Sequence, residues 1–255
     1  MQLYTVQKLG NWNQHLVMIH GNSSSSLTFK RILQSDLPLN MTAIDLPGHG
    51  KSPRSIHPEL DYSLESNLNS IQNVISKLNG KIILYGNSLG GHYAMELLKR
   101  IPEQIESIII SGAPPVDKPP VLEKAFNVSD EMLTFLNEDL SIEKAQWALN
   151  YYVHNKACLQ QVIDAALATD PKTRLILSQN LNEGLWSDQK AIVENSLKPV
   201  FHIHGEYEPG VKLEYIKSIK NISKIYQIRG AAHFPQLENA GEVISVLNEI
   251  LTKLK

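Results

Sequence analysis

The stretch Ile82-Ile83-Leu84-Tyr85-Gly86-Asn87-Ser88-Leu89-Gly90-Gly91-His92-Tyr93-Ala94-Met95-Glu96-Leu97-Leu98 decides how this chain is read. Its first four residues are apolar on both faces, as a buried parallel strand must be. Tyr93 to Leu98 has helix-forming composition. Between them stands Gly-x-Ser-x-Gly. Strand, sharp turn and helix in that order form a nucleophile elbow, which pushes the serine hydroxyl out at a helix N-terminus. Backbone N–H groups there favour developing negative charge. The turn needs residues nearly free of side chain two places before and after the serine, and Gly86 and Gly90 supply them. The competing reading is a plain Gly-Asn-Ser turn. The flanking strand and helix favour Ser88 as a nucleophile.

Outward from the elbow, short β-like runs alternate with helix-like ones. The runs are Leu16–Ile19, Met41–Ile44, Ile82–Tyr85, Ser107–Ile110, Val200–Ile203 and Lys224–Ile228. Amphipathic stretches lie between them, such as Leu64 to Leu78. The last is the clearest, with Val243, Ile244, Val246, Leu247, Ile250, Leu251 and Leu254 at helical spacing. This alternation predicts an α/β fold with a mostly parallel central sheet flanked by helices. Leu3 to Leu9, followed by Gly10-Asn11, predicts an antiparallel edge hairpin.

The alternation stops after Gly112. Pro114-Pro115 and Pro119-Pro120 open a region without a convincing strand, reading as short helices around Leu122–Phe126, Glu131–Leu136, Ile142–Tyr152 and Leu159–Leu167. The division expected is an α/β core from 1–112 and 199–255 and a helical cap or lid from 113–198, inserted after the sixth strand. Ligands of such sheets bind at the strand ends, beneath a segment of this kind. Trp147 and Tyr151 are candidates for its substrate-facing side, against the alternative that they only pack.

Composition narrows the partners. The chain has 255 residues, 42% hydrophobic and 20% charged, with net charge −2. That suits one sizeable domain and argues against nucleic acid or an anionic membrane surface as main partner. No apolar run is long enough to span a bilayer, and Met1 to Val6 lacks the pattern of a signal peptide. The single Cys158 has no partner for an internal disulfide, which fits a cytoplasmic setting. It is read as structural. A small-molecule substrate and a monomer or weak homo-oligomer are expected.

A serine hydroxyl needs a base, and the base an orienting group. In this architecture the order is Ser, then Asp or Glu, then His. His233, in Gly230-Ala231-Ala232-His233-Phe234, follows the last β-like run and is the candidate base. Glu208, in His204-Gly205-Glu206-Tyr207-Glu208-Pro209, follows the run before it and is the candidate acid. Glu206 competes locally, and Asp117 is the runner-up. The oxyanion hole needs two N–H donors: Leu89, after the nucleophile, and Asn22, in His20-Gly21-Asn22-Ser23, with Ser23 as the second choice.

Together these residues resemble the α/β-hydrolase fold superfamily. The agreement runs from His20-Gly21 through Asp45-Leu46-Pro47-Gly48-His49-Gly50-Lys51-Ser52 and the elbow to His233. Within it, Asp45 to Ser52 implies a structural glycine turn, and His49 receives no catalytic part. His20-Gly21-Asn22-Ser23-Ser24-Ser25, Gly112-Ala113-Pro114-Pro115-Val116 and Ala168-Thr169-Asp170 are similar to the metal-independent N-acylhomoserine lactonases of that fold. Those enzymes also use Glu before Pro, matching Glu208-Pro209. The resemblance implies opening of the lactone ring of quorum-sensing signals (quorum quenching) by a Ser-His-Glu triad, with no cofactor and no metal. The helical segment departs most from those enzymes.

Other readings stay open at this level. His202-x-His204-x-Glu206 resembles part of a zinc motif, but Tyr207 stands where its last histidine should be, and zinc needs three or four ligands. A general carboxylesterase, thioesterase or peptidase would use the same scaffold. A signal receptor would as well, although a pure binder has no use for an intact triad.

Overall fold

A computed structural model describes residues 1–254. Seven strands form one sheet in the order β1-β3-β2-β4-β5-β6-β7. They are β1 (Thr5–Lys8), β2 (Gln14–Ile19), β3 (Asn40–Ile44), β4 (Lys81–Asn87), β5 (Ile105–Ser111), β6 (Val200–Gly205) and β7 (Ile222–Ile228). Only β1 is antiparallel.

The edge hairpin expected near the N-terminus does not form. β1 pairs with β3, from Thr5 opposite Ile44 to Lys8 opposite Met41. Both edges of β2 are taken by parallel neighbours, because His15 to Ile19 is buried and must lie inside the sheet. Asn40 ties the connection down, accepting from the Gly10 N–H at 2.8 Å and donating to the Trp12 carbonyl at 2.8 Å.

Alternate strand residues feed opposite layers, as the pleat requires. Val17, Ile19, Leu84, Ile108 and Ile110 pack with α3 (Leu64–Ile75) and α4 (Leu89–Arg100). Leu16, Met18, Ile83, Tyr85 and Ile109 pack with α1 (Lys30–Leu33) and α13 (Ala240–Lys253) on the other face. The short helices α2 (Pro58–Asp61), α11 (Leu213–Ser218) and α12 (Pro235–Glu238) complete the layers.

Six helices lie between β5 and β6: α5 (Leu122–Ala125), α6 (Asp130–Thr134), α7 (Ile142–Tyr152), α8 (Leu159–Ala168), α9 (Pro171–Asn182) and α10 (Gln189–Glu194). This segment follows the fifth strand of the chain, not the sixth, since the opening segment contributes one strand to the sheet and not a pair. The sequence reading did not pick out α9 and α10, whose apolar positions are sparse. Their start signals were present: Asp170 accepts from the Lys172 N–H ahead of Pro171, and Asp188 accepts from the Ala191 N–H. Leu149, Tyr152, Val162, Ile163 and Ala166 form a separate small core closed by Phe234 and Leu237. Among the described residues, no helix is long and apolar enough to cross a membrane.

Candidate active site

β4 ends at Asn87 and α4 begins at Leu89, so Ser88 makes the whole reversal. Its backbone sits at φ 52° and ψ −123°. A residue with a side chain is strained there, typically by about 1–3 kcal/mol. The neighbours hold it: Ser88 N–H donates to the Ser111 carbonyl at 2.7 Å, and its own carbonyl accepts from Gly91 N–H at 2.8 Å. A Cβ on Gly90 would run into the carbonyl oxygen of Ile19, and one on Gly86 into that of Gly90. The turn closes only because both are glycine.

The loops after β6 and β7 converge on the same end of the sheet. His233 Nδ1 lies 2.9 Å from Oε2 of Glu208, whose side chain is 1% exposed. The other carboxylate oxygen, Oε1, accepts from Gly210 N–H at 2.8 Å. With Oε2 accepting, Nδ1 carries the proton and Nε2 is left as the basic nitrogen. Burial alone would pull the imidazolium of His233 down, but the charge and hydrogen bond of Glu208 outweigh it and hold the ring above the ordinary histidine value. Burial likewise raises Glu208, and the facing His233 reverses this, so the carboxyl lies below the usual range. Asp117, the runner-up, is 3.4 Å from Lys190 and half-exposed. Glu206 accepts from Gly230 N–H at 2.9 Å and braces the loop.

Ser88 and His233 open onto one cavity. No hydrogen bond joins Ser88 Oγ to the imidazole; in sites of this kind that bond commonly tightens only around substrate. A Cβ on Gly112 would stand 2.7 Å from Cε1 of His233, so the ring uses space that a side chain would fill.

The N–H groups of Asn22 and Leu89 make no hydrogen bond among the described residues. Ser23, the second choice for an oxyanion donor, gives its N–H to Nε2 of His49 at 3.2 Å. His49 donates in turn from Nδ1 to the Pro47 carbonyl, and burial, with the nearby His20, holds it at about 3. It is a neutral structural acceptor. Asp45 organises the same turn by accepting from Ser26 and Lys51 N–H.

The cavity is about 230 Å³ and largely apolar, with Phe126, Leu133, Phe135, Leu149, Tyr152 and Trp186 among its walls. Trp147 and Tyr151 do not line it. They are 49% and 42% exposed, because α7 buries the face carrying Ala145, Ala148, Leu149 and Tyr152. Positions 147 and 151 fall on the opposite face.

The sequence reading missed the groups that fix the site from behind. Glu238, 6% exposed, accepts four main-chain N–H groups: Ala232 and Phe234, which flank His233, through Oε1 at 3.0 and 3.1 Å, and His154 and Asn155 through Oε2 at 2.7 and 2.9 Å. Buried Arg174 donates to the carbonyls of Asn137 and Glu138, and its Nη1 stands 3.4 Å from Oγ of Ser23. No local pattern signals such long-range partners.

His202 and His204 both lie inside the sheet, with Nε2 and Nδ1 3.4 Å apart. Tyr207 stacks on His154 at 3.9 Å. Among the described residues, no three His, Cys, Asp or Glu side chains are grouped to hold a metal ion.

A profile of the alpha/beta hydrolase family matches residues 16–246. The chain belongs to the alpha/beta hydrolase family. A crystal structure of the N-acyl homoserine lactonase AidH complexed with N-butanoyl homoserine superposes with TM-score 0.89 at 26% identity, covering 99% of this chain and 93% of the other. A pimeloyl-[acyl-carrier protein] methyl ester esterase of Nitrosomonas europaea is 26% identical over 78% of this chain and 79% of its own length. Protein PHYLLO of Arabidopsis thaliana is 25% identical over 83% of this chain, which spans only 14% of that protein.

Proposed function

We propose that this alpha/beta hydrolase is a serine hydrolase that opens N-acylhomoserine lactones through an acyl-enzyme. The contact that carries the reading is His233 Nδ1 on buried Glu208 beside the strained Ser88, at one end of an apolar cavity. Ser88 Oγ attacks the ring carbonyl while Nε2 of His233 takes its proton. Glu208 fixes the tautomer and steadies the imidazolium. Asn22 and Leu89 N–H groups hold the oxyanion. The ring C–O bond breaks, and His233 returns the proton to the departing alkoxide, which stays tethered through the acyl group. Water activated by His233 then attacks the acyl-enzyme and releases N-acylhomoserine and free Ser88. Helices α5 to α10 act as a cap that supplies apolar wall for the acyl chain.

Support for the lactone comes from the structural likeness to a lactonase across almost the whole chain. A simple carboxylic ester is the second reading, favoured by the likeness to the methyl ester esterase. A panel of acylhomoserine lactones run beside p-nitrophenyl esters separates the two. Ring opening with kcat/KM well above that for simple esters supports the lactonase; ester cleavage alone supports the esterase. An organophosphonate should inactivate the enzyme by modifying Ser88, and a chelator should leave it active. Chelator sensitivity with no adduct on Ser88 would overturn both readings.

A further inference from the structure

His92 stands one turn beyond Ser88 on α4, and the mechanism above does not use it. Its ring lines the cavity, with the Phe126 and Trp186 ring centroids 6.4 and 5.9 Å away. Nδ1 of His92 lies 2.7 Å from Oε1 of Gln189. Which partner donates is decided further along the chain of contacts. Gln189 is fully buried, and its Nε2 donates to Oε1 of Glu96 at 3.0 Å. The same Glu96 oxygen accepts from Ser187 N–H at 3.0 Å. That Glu96 oxygen already accepts from the Ser187 N–H, so the Gln189 amide turns its nitrogen to Glu96 and its oxygen to His92. His92 therefore donates from Nδ1.

Burial lowers the pKa of His92 against the opposing pull of Gln189 and Glu96, so the ring is neutral. A neutral imidazole with its proton on Nδ1 presents a lone pair at Nε2. That nitrogen has no hydrogen-bond partner among the described residues. Unlike Nδ1 of His202, it is not sealed inside the protein. A buried relay from Glu96 through Gln189 thus leaves one fixed acceptor at the wall of an apolar cavity.

We infer that His92 Nε2 is a specificity subsite that accepts a hydrogen bond from a hydroxyl on the acyl part of the substrate. This rests on the hydrolase reading above and refines its substrate class. His92 lies four positions along the chain from Ser88, about 6 Å along the helix axis at 1.5 Å per residue. In an N-acylhomoserine lactone, carbon 3 of the acyl chain is five bonds from the ring carbonyl, a reach on that scale. A 3-hydroxyl donates to Nε2. A 3-oxo group sets acceptor against acceptor, and a plain chain strips water from Nε2 without replacing it. A polar site left unpaired by the wrong substrate discriminates more sharply than apolar fit does.

The test measures kcat/KM for 3-hydroxyhexanoyl-, 3-oxohexanoyl- and hexanoyl-homoserine lactone. It does the same for p-nitrophenyl 6-hydroxyheptanoate and 6-oxoheptanoate, which carry the oxygen the same number of bonds from the reacting carbonyl. The wild-type enzyme should prefer the hydroxy over the oxo substrate by roughly 10- to 100-fold, and His92→Phe should bring the ratio close to one. Gln189→Met, which removes the orienting oxygen, should lower the ratio too, should His92→Phe not fold. Absence of a hydroxyl preference in both wild-type series, or its survival in the folded variants, overturns the inference. If lactones are untouched but the ester series shows a preference that depends on His92, the lactone reading falls and the subsite stands.

Discussion

Asn87 donates from Nδ2 to the main-chain carbonyl of His233 at 2.9 Å. The residue just before the nucleophile therefore holds the loop that carries the imidazole. Gln236 backs the contact, donating from Nε2 to Oδ1 of Asn87 at 3.1 Å, and both side chains are fully buried. Replacing Asn87 with Leu would orphan the His233 carbonyl and one end of Gln236. Each unpaired buried group costs about 1–3 kcal/mol. A lower melting temperature and a reduced kcat are both expected; an unchanged kcat in folded protein would show that the tie does not position His233.

Glu208 and Asp117 separate cleanly by mutation. Glu208→Gln keeps the shape but offers no negative charge to the imidazolium, and the analogous change in the serine protease triad costs about 10⁴ in kcat. A loss of roughly 10³- to 10⁴-fold is expected here on that basis. Asp117→Asn, whose partner is Lys190, should leave kcat within about threefold, since half-exposed ion pairs contribute little. Steady-state kinetics on one substrate decides the assignment.

The pH profile follows from the same pair. His233 must be neutral at Nε2 to act as base, so kcat/KM falls as pH drops through its pKa. The net effect of burial and Glu208 places that pKa above the ordinary histidine value, and the acid limb should therefore lie on the alkaline side of it. Without the Glu208 charge, burial dominates. The limb of Glu208→Gln should move to lower pH, measured on its residual activity.

Glu238→Gln should affect stability and catalysis together. The amide presents a single acceptor oxygen where the carboxylate serves four N–H groups. Hydrogen bonds to a charged group contribute about 1.5–3 kcal/mol each, so the loss of two should lower the melting point clearly. Because two of the donors flank His233, kcat should fall more than KM rises.

Gly90→Ala should abolish activity. The added methyl meets a main-chain oxygen, Ile19 O, which no side-chain rotation relieves. A folded, fully active Gly90→Ala enzyme would contradict the turn geometry described for Ser88.

Much of this was legible along the chain. The runs of apolar residues placed β2 to β7, and the Gly-x-Ser-x-Gly context placed the elbow, because both depend on neighbours in sequence. The opening hairpin failed for a reason outside its own residues: β2 had no free edge to offer. Trp147 and Tyr151 were drawn toward the cavity by residue type, whereas the helical phase of α7, set by Ala145, Ala148, Leu149 and Tyr152, turned them outward.

By itself, the sequence determined the layered sheet, the strained serine turn and the order in which Ser88, Glu208 and His233 occur. Tertiary structure alone decided that Glu208, not Asp117, reaches the imidazole, that Ser23 is tied to His49 while Asn22 is left open, and that Glu238 and Asn87 hold the His233 loop. The reason is physical. Periodicity and turn chemistry act over a few residues, while a hydrogen bond between groups more than a hundred positions apart, such as Asn87 and His233, exists only once the sheet has brought their loops to the same end.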